Sequence, residues 1–498
     1  MFVCPKNVVT AAIIRPRNVI DSLGLTTKNM VDARGKGRIV QRDCLEKIAE
    51  WNNSRKRKPL VLMGARQVGK TWLMEEFAKQ SYPGKHVVVN FMRQRSLSDS
   101  IQESDIDPQK LIRLIQTATG QRVIPGETLL ILDELQECPR ALTSLKFFNE
   151  DMPELAVMAA GSLLGLAWGK GNGDKPQAGD SDAVYSFPVG KVNRLNVYPM
   201  TFAEFLKANG KGALVDVIAE GDWDTVRLLS GEYESLLKSY FVVGGMPAAV
   251  VDWVETGVLA EVRKIQREIL ADYDDDFKKY APKDLLPKIR LLWDNIPSQL
   301  AKENNKFVYN ALKPGARARE YEVALEWLKD AGMIHIQHRV CPPNLPLAHY
   351  MDLSAFKLFA HDVGLLGAMS DLDPKVVLNG NDVFTNFKGA LTEQFVLQEL
   401  LAMGVVNGYW TPAGGESELD FVVQAANGVY PLEVKSATNT KAKSLGVYMR
   451  EYTPALAFKS SLKNYSESRD VKSIPLYALG IALPPMLVLG RSTPLTRS

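Results

Sequence analysis

The chain has 498 residues, of which 46% are hydrophobic, and its formal net charge is only +3. This length exceeds what one hydrophobic core can organise and predicts two to four domains, while the nearly balanced charge neither indicates nor excludes a nucleic-acid partner. Four widely spaced cysteines and the lack of a membrane-length apolar run exclude a disulfide framework and a membrane-spanning helix, and they predict a cytoplasmic protein without a membrane partner.

The first organised feature follows an N-terminal stretch, residues 1–38, which shows no sustained periodicity and is predicted to be a poorly ordered extension. A short apolar run at 59–63 predicts a buried strand. It leads into the sequence GARQVGKT at Gly64–Thr71, and a helical pattern follows. Strand, glycine-rich loop and helix in this order form a P-loop, whose backbone N–H groups and helix N-terminus bind phosphate. The sequence therefore predicts ATP as the cofactor, bound with Mg²⁺.

The residues of this loop have distinct expected roles. Glycines at both ends let the backbone turn and approach the phosphates closely. Lys70 is expected to reach the β- and γ-phosphates, and the Thr71 hydroxyl is expected to ligate the Mg²⁺ ion. The residues predicted to line the phosphates with their backbone are Gly64, Ala65, Arg66, Gln67, Val68 and Gly69.

An apolar run that ends in two carboxylates, Asp133 and Glu134, is typical of a buried parallel strand that leads into a site. Asp133 is predicted to bind the Mg²⁺ water shell and Glu134 to orient the attacking water. The alternative for Glu134 is a surface acid after a strand. Another predicted strand, at 155–160, ends at Gly161 and Ser162. Ser162 is a candidate γ-phosphate sensor if this strand lies between the two motif strands, and otherwise a helix N-cap.

These motifs resemble a known family. The stretches GARQVGKT at 64–71, LDELQ at 132–136 and GS at 161–162 are similar to the ATPase core of a prokaryotic AAA-type family, in which a C-terminal domain of unknown function follows the ATPase. Ala160 stands where this family often has Ser or Thr. Further similar stretches are LNVYPMTFAEFL at 195–206, GGMP at 244–247 and DYDDDF at 272–277.

The resemblance covers residues 39–480 and implies an ATPase core at 39–225. A helical pattern continues through 226–288, where an AAA-type helical lid is expected. The acidic run Tyr273–Asp276 could bind a metal, but adjacent carboxylates on a helix do not share a face. It is therefore interpreted as a solvated helix end.

A winged helix is predicted at 289–350, between the lid and the C-terminal part. Lys313, Arg317 and Arg319 precede its last helix and could contact nucleic-acid phosphate. Such modules also serve as protein-docking elements, so both interpretations stay open. Arg194 is a candidate arginine finger, whose contacts across subunits cannot be deduced from spacing.

A second chemical site is indicated by a predicted β-hairpin with its turn at Asn427–Gly428. With a two-residue turn at these positions, Ala426 pairs with Val429 and Asp420 lies opposite Lys435. Carboxylates on adjacent strands can bind Mg²⁺, and a lysine beside the metal can activate water. By strand alternation, the residues predicted to share one face are Glu418, Asp420, Glu433 and Lys435.

This pattern resembles the restriction-endonuclease-like PD-(D/E)xK superfamily, with Leu419 in place of the expected proline. Glu393, in a predicted helix, matches the helix acid of many members. The resemblance implies a second Mg²⁺ site made by Asp420, Glu433 and Glu393, and catalysis by Asp420, Glu433 and Lys435. The alternative is a solvated sheet face with cross-strand Asp–Lys pairing. The nuclease-like domain is placed at 351–480.

The sequence as a whole predicts an α/β protein with a P-loop AAA-type ATPase core, a helical lid, a winged-helix module and a C-terminal restriction-endonuclease-like α/β domain. A flexible tail is expected at 481–498. One hypothesis is an ATP-dependent enzyme that binds or cleaves DNA or RNA. The other is a nucleotide-switched signalling or docking protein with an inactive nuclease-like domain. Both require ATP binding, and both allow a homo-oligomer.

Overall fold

The computed structural model describes residues 41–161, 188–301, 306–379, 385–412, 417–436 and 443–489. Within these ranges the strands form two separate sheets, an N-terminal parallel sheet and a C-terminal mixed sheet. The predicted N-terminal extension, residues 1–38, and the candidate sensor Ser162 lie outside the described residues. The α/β class with a parallel P-loop sheet and a separate C-terminal sheet is confirmed.

The N-terminal sheet surrounds the strand that leads into the P-loop. Its strands are β1 (Leu60–Met63), β2 (His86–Asn90), β3 (Leu129–Asp133), β4 (Ala156–Ala160) and β5 (Asn193–Asn196). Among the described residues they are all parallel, in the order β2-β3-β4-β1-β5. β4 therefore lies between β1, which leads into the P-loop, and β3, which leads to Asp133. The sequence analysis required this strand order for a γ-phosphate sensor after β4.

One helix before β1 and four helices between the strands complete the first core among the described residues. They are α1 (Cys44–Asn52), α2 (Lys70–Ser81), α3 (Arg95–Glu103), α4 (Pro108–Thr119) and α5 (Pro139–Asp151). Val89, Leu132 and Val157 of the sheet share one buried cluster with Ile115 of α4 and Leu145 of α5. Every residue of β3 and β4 is buried, which explains their continuous apolar sequence, as expected for interior parallel strands.

A helical region follows the N-terminal sheet. It consists of α6 (Phe202–Ala208), α7 (Gly212–Glu220), α8 (Trp223–Leu228), α9 (Ser230–Val243), α10 (Pro247–Thr256) and α11 (Leu259–Tyr280). α6 begins with a capping box, in which the Thr201 side chain accepts from the Glu204 backbone and the Glu204 side chain accepts from the Thr201 backbone. The region predicted as a lid, 226–288, is helical over most of its length.

The segment predicted as a winged helix contains α12 (Leu286–Leu300), α13 (Ala318–Asp330) and the strand β6 (Ile334–Val340). β6 extends beyond the predicted wing strand at 333–337 and pairs antiparallel with β7 (Met351–Ala360). It also pairs with β8 (Asn407–Trp410) and so belongs to the C-terminal sheet. The boundary predicted at 350 therefore falls between two hydrogen-bonded strands of one sheet.

The C-terminal sheet continues from β8 through β9 (Leu419–Ala425), β10 (Gly428–Val434), β11 (Ala457–Ser461), β12 (Ser466–Glu467) and β13 (Val471–Pro475). Its order among the described strands is β12-β13-β11-β10-β9-β8-β6-β7, with parallel and antiparallel pairs mixed. The accompanying helices are α14 (Val363–Met369), α15 (Pro374–Asn379), α16 (Thr385–Ala402), α17 (Lys443–Tyr452) and α18 (Leu479–Leu489). Trp410 and Val422 of the sheet pack with Leu445 and Tyr448 of α17.

The β9–β10 hairpin forms, but its predicted register is wrong. Gly428 pairs with Ala425, so the two-residue turn is Ala426–Asn427 and not Asn427–Gly428. The last pair in this register is Leu432 with Phe421, so the next residues, Glu433 and Asp420, lie across from each other. The sequence analysis had placed Lys435 opposite Asp420. Because the shift is an even number of residues, every side chain keeps its predicted face.

The tail predicted from residue 481 is also partly wrong, because α18 extends to Leu489. Ala482, Leu483 and Leu487 of this helix are buried. Tertiary packing of these apolar side chains overrides the low helix propensity of Pro484 and Pro485. No helix within the described ranges has the length and apolarity needed to cross a membrane.

Buried hydrogen bonds join the two halves of the molecule. The Asp362 carboxylate at the start of α14 accepts from the backbone N–H of Gly245 at 2.6 Å, and Glu399 of α16 accepts from that of Phe202 at 2.9 Å. A Cβ at Gly244 would lie 2.2 Å from Asp362 Oδ1, which explains the glycine pair of the GGMP motif. The described residues from Gln41 onward accordingly form one compact unit.

Candidate nucleotide site and C-terminal charge cluster

The P-loop has the backbone that phosphate binding requires. Positive φ values occur at Gly64 (136°), Gln67 (66°) and Gly69 (92°), and Gly69 caps the N-terminus of α2. A Cβ at Gly64 would lie 2.2 Å from the carbonyl oxygen of Val197, so only glycine fits there. The loop thus turns sharply between β1 and α2, and this conformation places it at a helix N-terminus, where backbone N–H groups can bind an anion.

The side chains predicted to handle phosphate and Mg²⁺ lie together. The Thr71 hydroxyl donates to Asp133 Oδ2 at 3.0 Å, and the Asn90 amide donates to the same oxygen at 3.1 Å. Lys70 Nζ donates to the carbonyl oxygens of Gly64 (2.9 Å) and Ala65 (2.7 Å). A hydroxyl and a carboxylate side by side are oxygen donors that suit Mg²⁺, so these residues fit the ion that ATP carries.

Burial is the largest cause of the pKa shifts of Lys70 and Asp133. It lowers the pKa of the Lys70 ammonium to about 8, against the opposing effect of Glu134 and Asp133. Burial likewise raises the pKa of the Asp133 carboxyl. Both effects disfavour isolated charges in the site and would be relieved by bound phosphate and metal, which supply opposite charges.

Glu134 follows β3 with a left-handed backbone, at a φ of 54°. This is unusual for a residue with a side chain, and such strain is concentrated at functional sites. The Gln136 side-chain amide donates to Glu134 Oε2 and orients the carboxylate. Both residues belong to the LDELQ stretch, so two of its polar side chains act as a hydrogen-bonded pair.

One face of α11 contacts the P-loop, which the sequence did not predict. Arg66 forms an ion pair with Asp276, and the Gln67 amide donates to Asp272 at 2.7 Å. The Tyr273 hydroxyl donates to the carbonyl oxygen of Arg66 at 2.9 Å. The interpretation of this run as a solvated helix end is therefore wrong for Asp276, which is only 2% exposed. The i, i+4 spacing of the two acids was the available signal, because it puts them on one face.

The segment before the C-terminal sheet also touches the loop. A Cβ at Gly332 would lie 2.9 Å from the backbone nitrogen of Ala65. His361, at the end of β7, is buried, with Nε2 3.1 Å from the Tyr273 hydroxyl and Nδ1 3.2 Å from the carbonyl oxygen of Met333. Burial lowers the pKa of His361 to about 4, so the ring is neutral near pH 7. The P-loop is thus enclosed by α11 and by residues of the C-terminal half.

Comparison with known families decides the class of the N-terminal part. Residues 56–206 match a family described as an AAA domain. The chain contains a P-loop AAA-type ATPase domain. Residues 234–376 and 388–479 match two further families, each described as a domain of unknown function. No curated protein shows significant sequence similarity to the chain.

Two solved structures also resemble the chain. One is a Walker-type ATPase of Pyrococcus abyssi, at 14% identity over 69% of this chain and 99% of that chain, with a TM-score of 0.42. The other is the ORC1 protein of Aeropyrum pernix, solved in complex with DNA, at 14% identity over 66% of this chain and 91% of that chain, with a TM-score of 0.26. At these TM-scores neither likeness carries an argument about the fold or function of this chain.

The predicted second site is a cluster of charges on the C-terminal sheet. Lys435 Nζ lies 2.6 Å from Glu433 Oε1, and Asp420 Oδ2 accepts from the backbone N–H of Val434 at 2.8 Å. Burial, followed by the charges of Glu393 and Glu433, raises the pKa of Asp420. The fold therefore brings together the four residues predicted from the resemblance.

A further member of the cluster, Lys357 of β7, was missed. Its ammonium is fully buried and lies 3.0 Å from Glu393 Oε2 and 2.9 Å from Glu418 Oε1. Burial opposes its charge, yet Glu393, Glu418 and Asp420 together raise its pKa. A lysine within the apolar run Phe356–Ala360 was the sequence signal, because a buried lysine needs an acidic partner.

Lys357 changes the expected ligand set. Glu393, predicted as a metal ligand, is engaged by this ammonium. Within the described ranges no three carboxylate, histidine or cysteine side chains are grouped to hold a metal ion. Glu433 Oε2 is buried and lacks a hydrogen-bond partner among the described residues. Asp420 and Glu433 therefore remain as the two candidate oxygen donors of the predicted second site.

The basic residues of the predicted winged helix are exposed at one end of α13. Lys313 lies 3.7 Å from Glu320, while Arg317 and Arg319 are exposed. Farther along, the exposed positions of α13 include Glu322 and Glu326, which would repel phosphate. The cations that the sequence analysis assigned to phosphate contact therefore lie at the N-terminal end of this helix, while a further exposed lysine, Lys329, lies in its last turn.

Arg194, the candidate arginine finger, lies on β5 opposite Val61 of β1. With Gly64 and His335 it lines a cavity of about 730 Å³ beside the P-loop. The residue is thus near the nucleotide site of its own chain. Its action on a neighbouring subunit stays a prediction.

Proposed function

We propose that the chain binds and hydrolyses ATP at the P-loop and transmits its nucleotide state to the C-terminal half. The observation that carries the proposal is the hydrogen bond between the Thr71 hydroxyl and Asp133, with Lys70 and Glu134 at the same edge of a parallel sheet. These are the groups that P-loop ATPases use for Mg²⁺, phosphate and water.

Each residue has a defined task when Mg·ATP is bound. The backbone N–H groups of Gly64–Thr71 hold the phosphates. The Lys70 ammonium gives up its hydrogen bonds to the carbonyl oxygens of Gly64 and Ala65 and donates to phosphate oxygens in their place. Thr71 and Asp133 would hold the Mg²⁺ ion, which would neutralise part of the phosphate charge. Glu134 orients water toward the γ-phosphate, with its carboxylate held by Gln136.

Replacement of Lys70 tests this assignment. Lys70→Ala is expected to weaken Mg·ATP binding by about 10- to 100-fold, because hydrogen bonds with charged partners contribute about 1.5–3 kcal/mol. Calorimetric titration with Mg·ATP and steady-state hydrolysis measure the effect. Lys79→Ala, on the same helix but 62% exposed at its side chain, is the matched control and should leave both unchanged. Unaltered binding and turnover in Lys70→Ala would refute the proposed site.

The C-terminal charge cluster supports a nucleic-acid function. Glu433 lies across from Asp420, its Oε1 bonds to Lys435, and its other oxygen is available to a cation. We infer that this pair could bind a divalent cation and that the domain acts on DNA or RNA as a metal-dependent phosphodiesterase under the control of the ATPase. The predicted winged helix would add phosphate contacts at Arg317 and Arg319.

A second candidate function is favoured by Lys357. Its buried ammonium forms ion pairs with both Glu393 and Glu418 and offsets one of their two negative charges without any metal. A site whose glutamates are paired with lysines can persist as a stable, inactive platform. On this alternative the chain is a nucleotide-switched signalling or docking protein. Metal-dependent stabilisation and cleavage distinguish the two candidates.

A further inference from the structure

We propose that Asp272, Tyr273 and Asp276 of α11 are positioning residues of the nucleotide site, which hold the apex of the P-loop in its phosphate-binding conformation. The proposal rests on the proposed ATP-binding function of that loop. It assigns a role to an acidic run that lies more than 200 residues away in sequence, as the separation of 207 between Arg66 and Tyr273 shows.

The apex of the loop needs external support. Gln67 has a φ of 66°, a left-handed conformation that disfavours residues with a Cβ. Its side-chain amide donates to Asp272 Oδ2 at 2.7 Å. This bond holds the residue in the conformation that turns the following N–H groups toward phosphate, and it compensates for the backbone strain.

Arg66, the residue before Gln67, contacts α11 through both its side chain and its backbone. The guanidinium of Arg66 pairs with Asp276, and its carbonyl oxygen accepts from the Tyr273 hydroxyl. Asp276 is nearly fully buried, and its second oxygen has no hydrogen-bond partner among the residues that the structure describes. A buried carboxylate with one cationic partner is costly to separate from it, so the pair fixes Arg66 on α11.

Tyr273 extends the support to the C-terminal half. It is fully buried, and its hydroxyl lies 2.9 Å from the Arg66 carbonyl oxygen and 3.1 Å from His361 Nε2. His361 directly follows β7, the strand that also carries Lys357 of the charge cluster. The same side chain therefore contacts the P-loop and the end of a strand in the C-terminal sheet.

The other acids of the run serve as an internal comparison. Asp274 pairs with Arg290 at 2.7 Å, and Asp275 pairs with Lys278 at 2.7 Å. The Asp275 side chain is 74% exposed, and its partner Lys278 lies on the same helix. Replacement of Asp275 thus changes the charge of α11 without changing the contacts to the P-loop.

Asp276→Asn and Tyr273→Phe test the proposal in the full-length chain, with Asp275→Asn as the matched control. Asp276→Asn removes the charge that holds Arg66 at nearly constant volume, and Tyr273→Phe removes one hydroxyl. Each is expected to raise the Kd and the KM for Mg·ATP about tenfold and to change kcat less than about twofold, because support of the phosphate cradle acts on ground and transition states alike. Asp275→Asn should match the wild type.

The outcomes separate this proposal from the proposed function. Wild-type affinity in both Asp276→Asn and Tyr273→Phe would overturn the positioning role. A loss of kcat and of Tm without the split between KM and kcat would overturn it as well, since that indicates general destabilisation. If the wild-type chain binds no Mg·ATP, the proposed function fails and the positioning role fails with it.

Discussion

Glu134→Gln is expected to bind Mg·ATP like the wild type and to hydrolyse it about 100-fold or more slowly. Orientation and activation of the attacking water by a positioned carboxylate contributes about 10²–10⁴-fold, and glutamine cannot accept the proton. The change keeps the side-chain size and the requirement for a left-handed backbone at this position. Nucleotide contacts made by Lys70 and Thr71 stay intact, so affinity should be preserved.

Single-turnover hydrolysis and equilibrium binding of Mg·ATP check this result side by side. Glu127→Gln is the control, because Glu127 precedes the same strand, is 55% exposed at its side chain and pairs with Lys85. It should hydrolyse ATP at the wild-type rate. Hydrolysis at that rate by Glu134→Gln as well would show that another group orients the water.

The second large effect concerns the C-terminal cluster. Mg²⁺ or Mn²⁺ is expected to stabilise the full-length chain, by about 2.7 kcal/mol when the ion is present at 100 times its Kd. Asp420→Asn should abolish this stabilisation and any cleavage of DNA or RNA, while ATP hydrolysis continues. The reason is that Asp420 and Glu433 are the two carboxylates left for a cation once Lys357 has paired with Glu393.

The stabilisation by metal is expected to depend on pH through the Asp420 carboxyl. The pKa of Asp420 is raised by burial and by its acidic neighbours, so the folded state holds a proton that a metal must displace. Without metal, this group stabilises the fold at low pH and loses that contribution as pH rises through its folded-state pKa. Stabilisation by Mg²⁺ should therefore increase as pH rises.

Thermal unfolding with MgCl₂ or MnCl₂ and nicking of single- and double-stranded substrates measure these effects. Glu467→Gln is the control in the same sheet, since its side chain is 51% exposed and pairs with Lys472. It should respond to metal like the wild type. If the wild type shows neither stabilisation nor cleavage, the phosphodiesterase assignment fails and the docking protein becomes the better account.

The nucleotide site was predictable because its parts are local or follow a simple rule. The P-loop is contiguous, and the carboxyl ends of parallel strands meet at one edge, which brings Asp133 to Thr71 across 62 residues of sequence. The faces of the β9–β10 hairpin were likewise predictable from alternation. Its register was not, because Ala426–Asn427 forms the turn in place of the favoured Asn–Gly pair.

What the sequence could not supply are contacts between distant segments. Lys357 of β7 reaches Glu418, which directly precedes β9 of the same sheet, and Glu393 of α16, and no spacing along the chain encodes these contacts. The contacts of α11 with the P-loop have the same origin. A helical period shows which residues share a face, but not which surface that face meets.

Amide hydrogen exchange of the Glu134→Gln chain, with and without Mg·ATP, tests the central claim most directly. This variant should retain unhydrolysed ATP, so the bound state persists during labelling. We expect slower exchange in Gly64–Thr71, in α11 around Tyr273 and at the junction of β7 and α14 around His361. Protection confined to the P-loop, with unchanged exchange in α11 and around His361, would contradict the transmission of nucleotide state to the C-terminal half.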